Sequence, residues 1–201
     1  MDISLNQFFG LFGGSPISPP ASSYIGADDL GILMSLVAVF QSKRIIEFGA
    51  GSGANAKAIL DRYAWIEQYT AIDVPPGTAT TLPYQGREVP NVAGHHAEGD
   101  PRFDLRLSER GSFDLQPGSL QDYEFAFIDG DHSPEGVRHD TAIAKAAIRY
   151  GVICWHDYGR SPARVTEVID DMNRREGNHI CRVTSTSMCF EIRCEHQTRL
   201  A

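Results

Sequence analysis

Apolar and polar positions alternate along the chain in two rhythms, short apolar runs and longer amphipathic stretches. Ala27 to Gln41 reads as a helix, with Leu30, Met34, Leu36, Val37 and Phe40 forming a wide apolar surface. Asp28 and Asp29 suit its first turn, where the helix dipole favours negative charge. Ile45, Ile46 and Phe48 form the apolar run of a buried parallel strand. Ala54 to Leu60 opens a helix, with Ala56, Ile59 and Leu60 on one face, and Tyr69 to Val74 is a second strand. Phe125, Phe127 and Ile128 build another strand. Ser133 then serves as N-cap and Pro134 as first helical residue of a helix running to about Tyr150, where Gly151 ends it. Val152 to Trp155 is a further strand, and Arg164 to Arg175 is a helix closed by Gly177. His179 to Thr184 and Met188 to Cys194 read as two strands around a short Ser/Thr turn, a terminal antiparallel hairpin. Strands taking turns with helices predict an α/β domain with a mostly parallel sheet.

Three stretches carry weaker patterns. Residues 1–26 are rich in Gly, Pro and Ser and read as an irregular N-terminal arm, with 27–201 as a single domain. Phe8, Phe9, Leu11 and Phe12 of the arm are expected to pack on the domain or on a second subunit of a homo-oligomer. The prolines and glycines of Pro75 to Pro90 argue against a regular crossover helix and for a long loop at the cleft, as a lid or an oligomer contact. Val92 to Asp100 is assigned the third strand, with Asp100 at its C-terminal end, and Pro101 to Asp122 has no clear pattern. His95 and His96 are adjacent, so on a strand they would point to opposite faces and share no metal.

The chemistry concentrates at strand ends. Gly49, Gly51 and Gly53 follow the first strand at once, and glycine lets a ligand approach the backbone and the helix N-terminus behind it. Gly49, Gly51 and Ala54 fit the G-x-G-x-x-A fingerprint of dinucleotide enzymes. Glu47, Gly49, Ala50, Gly51 and Gly53 equally fit an E-x-G-x-G-x-G turn for another nucleoside cofactor. Asp73, at the end of the second strand, can accept hydrogen bonds from both ribose hydroxyls in either case. If the fourth and fifth strands are neighbours, Asp129 and Asp157 end side by side, with Asp131, His132 and His156 close by. Such a cluster can bind a divalent metal or hold a general base for a substrate hydroxyl.

Charge narrows the partners. The 201-residue chain carries a net charge of −8, with 15 Arg and 3 Lys scattered along it, which argues against a nucleic-acid surface. No apolar run is long enough to span a bilayer. Cys154, Cys181, Cys189 and Cys194 show no C-x-x-C spacing, so buried thiols in a reducing cytoplasm are expected, although Cys181 and Cys194 could face each other across the hairpin. Glu47, Asp73, Asp100, Asp129 and Asp131 are expected at one sheet edge, and the first cation after the glycine turn is Lys57. That field suits a sulfonium cofactor better than the two phosphates of a dinucleotide.

The first motif, EFGAGSG, resembles that of the class I S-adenosylmethionine (SAM) methyltransferases. FIDGDHSPEGVRHD followed by GVICWHDY extends the resemblance to the "IDGDH…HD" branch, which is similar to the magnesium-dependent O-methyltransferases of sugars and antibiotics. The match runs in order from about Ala27 to Arg160, and the hairpin extends it. It implies a Rossmann-like fold with a mostly parallel seven-stranded sheet flanked by helices. It implies direct methyl transfer from SAM to a hydroxyl oxygen of a small molecule, with Asp129, Asp131 and His132 as catalytic candidates. The cofactor set carried over is Glu47, Gly49, Ala50, Gly51, Gly53, Asp73, Asp100 and Asp129, Asp100 lying near the adenine. The metal set is Asp129 or Asp131, with His156 and Asp157, for Mg²⁺ or another divalent ion. The related pair is usually Asp-Asp or Asp-Asn, and His156 favours a softer metal than Mg²⁺. An NAD(P)-dependent oxidoreductase and a non-catalytic SAM-binding protein stand as alternatives.

Overall fold

In the computed structural model, which describes residues 1–20, 24–177 and 180–194, the strands form one eight-stranded sheet. The strands are β1 (Asp2–Ser4), β2 (Arg44–Phe48), β3 (Gln68–Asp73), β4 (Phe103–Leu107), β5 (Phe125–Ile128), β6 (Gly151–Trp155), β7 (Cys181–Thr184) and β8 (Cys189–Arg193). The helices are α1 (Leu5–Phe12), α2 (Ala27–Phe40), α3 (Ala54–Arg62), α4 (Pro134–Ala147) and α5 (Val165–Arg175). The strand order is β1-β7-β8-β6-β5-β2-β3-β4, and β8 alone runs antiparallel to its neighbours. Seven of these strands make the expected mostly parallel sheet with its terminal hairpin; the eighth, β1, comes from the arm. His179, expected to open the hairpin, lies outside the described residues.

Side-chain alternation divides the core into two layers. Ile45, Tyr69, Ala71, Phe125 and Phe127 face α1, α2 and α3; Ile46, Phe48, Ile72, Ala126 and Ile128 face α4 and α5. Strand β2 pairs with β3 on one side and β5 on the other, so the chain order reverses there. The C-terminal ends of β2 and β5 then flank the crevice where open α/β sheets take ligands.

The first twelve residues of the arm carry a strand and a helix, whereas residues 13–20 have no regular structure. Ser4 and Gln7 form a reciprocal capping box that starts α1. Phe8 is fully buried and packs on Phe12 and on Phe190 of β8, with centroids 4.9 and 5.8 Å away. Burial of one such ring stabilises by about 1.5–3 kcal/mol. The expectation that these aromatics pack on the domain holds for Phe8, Phe9 and Phe12, whereas Leu11 is exposed. This cover explains why α2 is buried almost all round, from Asp29 to Val37.

The third strand is Phe103–Leu107, not Val92 to Asp100. Gly94 and Gly99 adopt positive φ, and residues 92–99 form successive turns instead. Gly94 N–H donates to Gly51 O (2.9 Å) and His96 N–H to Ser52 O (3.0 Å), so this segment braces the glycine turn. His95 and His96 sit on those turns with their rings 4.1 Å apart, rather than on opposite strand faces. Helix α4 ends at Ala147, and Gly151 opens β6 at φ 139° instead of closing the helix. Pro75 to Pro90 contains only a short 3₁₀ turn, Pro83–Arg87. Cys181 pairs with Phe190 across the hairpin, and the four thiols are free. Among the described residues, no helix is long and apolar enough to cross a membrane.

Candidate active site

The glycine turn after β2, the end of β3 and the ends of β5 and β6 border one cavity of about 730 Å³. That is the size of a pocket for a drug-sized ligand. Gly49, Ala50 and Gly51 line it, and Gly53, at φ 80°, caps α3 just behind. Asp73 closes the turn from the next strand. Its Oδ2 accepts Gly51 N–H (2.8 Å) and its Oδ1 accepts Val74 N–H (2.7 Å). Burial raises its pKa, and those backbone donors oppose the rise.

Glu47 does not reach the cavity. It is fully buried beneath the turn, where its Oε1 accepts from Asn55 Nδ2 (3.1 Å), and Asn55 lines the cavity in its place. Desolvation lifts its pKa to about 8, against the opposing hydrogen bonds of Asn55 and Tyr69, so the group is neutral at pH 7. A raised carboxyl pKa gives stability that is full below the unfolded value near 4.5 and is lost as pH rises towards 8. The loss runs at about 1.4 kcal/mol per pH unit over that window. We expect Glu47→Gln to flatten this part of the pH–stability profile and to be more stable than the parent at pH 9. Urea midpoints of both proteins from pH 5 to 9 check this; parallel profiles would refute a neutral Glu47.

Asp100 lies at the other end of its strand. It precedes β4, binds Arg102 bidentately (2.9 and 2.6 Å) and does not line the cavity. The loop after β4 takes the place assigned to it: Glu109, Arg110, Gly111, Ser112 and Phe113 form that wall. Phe113 stacks on His139 at 4.8 Å. Asp140 of α4 also lines the cavity at 1% exposure, and desolvation lifts its pKa to about 7.

Register brings the acidic and imidazole groups together. Ile128 pairs with Trp155, so Asp129 and His156 leave the sheet side by side. Asp157 follows in a left-handed conformation (φ 60°), which few non-glycine residues adopt. His156 Nδ1 lies 3.1 Å from Asp129 Oδ1 and 3.4 Å from Asp157 Oδ1. His132 spans the same two carboxylates, Nε2 3.5 Å from Asp129 Oδ1 and Nδ1 3.3 Å from Asp157 Oδ2. Burial opposes charge on both rings, but Asp129 and its acidic neighbours outweigh it and raise both pKa values. Burial likewise opposes charge on Asp129, and His156 and His132 hold it well below the carboxylate range. Asp157 is pushed up by burial and by Asp129. Asp131 lines the cavity too, but its carboxylate is held by Thr81 Oγ1 (2.7 Å) and Ser133 N–H (2.8 Å).

The donor set fits a divalent cation. One ligand atom each from Asp129, His156 and Asp157 lie within 4.8 Å of one another. Bonds near 2.1 Å place adjacent donors about 3.0–3.4 Å apart, as the two His156 separations are.

The 3₁₀ segment folds over this cluster. Tyr84 OH lies 3.0 Å from His132 Nδ1, Gln85 Nε2 donates to Gly130 O (2.8 Å), and His132 N–H donates to Gln85 Oε1 (3.2 Å). The loop thus sits on the cleft, as its composition suggested. Its individual contacts carried no sequence signal, since a lone Tyr or Gln in a proline-rich stretch has no periodicity to read.

No protein-family model matches the sequence, and no curated protein matches it. Solved structures do. The O-methyltransferase NovP is similar over 87% of this chain and 83% of its own, at 13% identity and a TM-score of 0.63. An O-methyltransferase from Bacillus cereus, solved in complex with SAH, covers 94% of this chain and 90% of its own, at 12% identity and a TM-score of 0.53. TomG from Streptomyces achromogenes, an O-methyltransferase of tomaymycin synthesis solved with SAM, covers 94% and 87%, at 13% identity and a TM-score of 0.51. The chain therefore has the Rossmann-like class I methyltransferase fold.

Proposed function

We propose that the protein is a SAM-dependent O-methyltransferase of a small hydroxylated molecule. The observation that carries this reading is the meeting, in one cavity, of the Asp73-braced glycine turn with the Asp129–His156–Asp157 cluster. The likeness in fold to O-methyltransferases solved with SAM or SAH supports it. The turn and Asp73 hold the nucleoside, and the acidic rim favours the sulfonium.

A divalent cation held by Asp129, His156 and Asp157 would supply Lewis-acid activation of the acceptor hydroxyl. The residues of the chain do the rest. The cavity holds the acceptor oxygen in line with the sulfonium methyl. As the C–O bond forms and the C–S bond breaks, the hydroxyl proton passes to His132 in its neutral form, which Asp157 Oδ2 holds at 3.3 Å from Nδ1. Tyr84 and Gln85 close over His132 and exclude water.

Calorimetric titration with SAH, with and without Mn²⁺ or Mg²⁺, tests this. We expect micromolar SAH binding, and a metal heat that Asp157→Ala abolishes while SAH binding persists. Absence of SAH binding under every condition would overturn the proposal.

A further inference from the structure

Asp29 has the sequence position of an ordinary helix-dipole residue, the third of α2, beside Asp28. The structure turns it inward. It is 4% exposed, and its Oδ2 lies 3.3 Å from Nε2 of His156, 127 residues away. Its Oδ1 accepts Ser187 N–H (3.1 Å) from the β7–β8 turn. The carboxylate is thus pinned from two elements, with one oxygen aimed at the imidazole.

We propose that Asp29 is a positioning residue for the metal centre. It fixes the proton of His156 on Nε2 and leaves the Nδ1 lone pair to face Asp129 and Asp157, which tunes the site for a borderline cation such as Mn²⁺ or Zn²⁺ over Mg²⁺. The inference rests on the metal reading above. Both ring nitrogens face carboxylates, but only Nδ1 faces the cluster, so a cation held there would take the place of the Nδ1 proton while Asp29 Oδ2 accepts the proton on Nε2. A neutral imidazole then has one lone pair, and it belongs to the other nitrogen. Here that nitrogen is Nδ1, 3.1 and 3.4 Å from the two carboxylate oxygens of the cluster. A carboxylate behind a ligating histidine orients the ring and raises its basicity. Nitrogen donors favour later divalent ions, whereas Mg²⁺ prefers oxygen.

The test compares the parent, Asp29→Asn and His156→Asp. Each is titrated separately with Mn²⁺, Zn²⁺ and Mg²⁺ by calorimetry, with SAH affinity and thermal midpoint as controls. The parent should prefer Mn²⁺ and Zn²⁺. Asp29→Asn should lose about 10–100-fold in affinity for both ions while its SAH affinity stays within a few-fold. His156→Asp should shift the preference towards Mg²⁺. Should Asp29→Asn fail to fold, ¹⁵N-histidine spectra of the Zn²⁺-loaded parent decide instead: His156 should carry its proton on Nε2 and none on Nδ1. A proton on Nδ1, or parent-like metal affinity in folded Asp29→Asn, would overturn the assignment of Asp29. A parent that binds SAH but takes up no cation would overturn the metal reading itself.

Discussion

Asp73→Ala is expected to raise the SAH dissociation constant about 100-fold or more. Asp73 ties Gly51 N–H and Val74 N–H in place, and on the proposed function it would also offer its carboxylate to the nucleoside. Hydrogen bonds to a charged group contribute about 1.5–3 kcal/mol each, and each 1.4 kcal/mol is a factor of ten. Losing two to the ribose therefore removes about 3 kcal/mol or more from cofactor binding. Asp73→Asn separates the two duties. It keeps one oxygen acceptor for the turn but loses the charge, so its affinity should fall between parent and alanine variant. Calorimetry with SAH on all three proteins, with thermal midpoints to confirm folding, reads the result. If Asp73→Ala bound SAH within threefold of the parent, the ribose would have to be held elsewhere.

Alanine at Gly49 and at Gly51 should fail in opposite ways. A Cβ on Gly49 would lie 2.2 Å from Asp129 O and 2.9 Å from Gly130 Cα, at a φ of 89°. The ends of β2 and β5 would have to separate. Strain and overpacking of this kind cost about 1–3 kcal/mol each, and a domain of this size loses about 2–4 °C per kcal/mol. We expect Gly49→Ala to lower the thermal midpoint by about 10 °C. A Cβ on Gly51 meets nothing within 4 Å, and its φ of 49° is left-handed space that alanine enters at a cost of about 1–2 kcal/mol. Gly51→Ala should therefore fold with a small loss of stability, yet place a methyl where the proposed cofactor would lie and weaken SAH at least tenfold. Differential scanning fluorimetry with and without SAH distinguishes the two. Equal affinity in parent and Gly51→Ala would move the ligand away from the turn.

The elements that were legible in the sequence are those whose burial is total. Strands β5 and β6 have both faces covered and read as unbroken runs, FAFI and GVICW, while β2 keeps Ile45, Ile46 and Phe48 around a Glu47 that is itself buried. The third strand is hard to place from the sequence because β4 is an edge strand, only half-buried. Its pattern, Phe103-Asp-Leu105-Arg-Leu107, has period two and sits in a stretch where apolar density is low. Misplacing it carried Asp100 to the wrong end of the sheet and hid the Glu109 to Phe113 wall. Glu47 belongs to the acidic field by sequence, but its burial beneath the turn, against the opposing hydrogen bonds of Asn55 and Tyr69, is what keeps it neutral, and no motif includes that depth. The helix-dipole argument for Asp29 is satisfied whichever way the side chain turns, so it carries no sign of the inward turn towards His156. In the arm, the capping signal of Ser4 and Gln7 was present, masked by the Gly and Pro residues that follow.

The pairing of β1 with β7 has a consequence for the order in which the chain can fold. Asp2, Ile3 and Ser4 lie opposite Arg182, Val183 and Thr184, so the first strand bonds to one of the last. Chains grow at about 5–20 residues per second, so the partner of β1 emerges about ten seconds or more after it. Contacts this far apart in sequence close late and slowly. The arm must therefore wait while β2 to β6 pair, and the Asp2–Ser4 strand keeps its pairing groups free until synthesis reaches Cys181–Thr184, open meanwhile to pairing with a neighbouring chain on the same message.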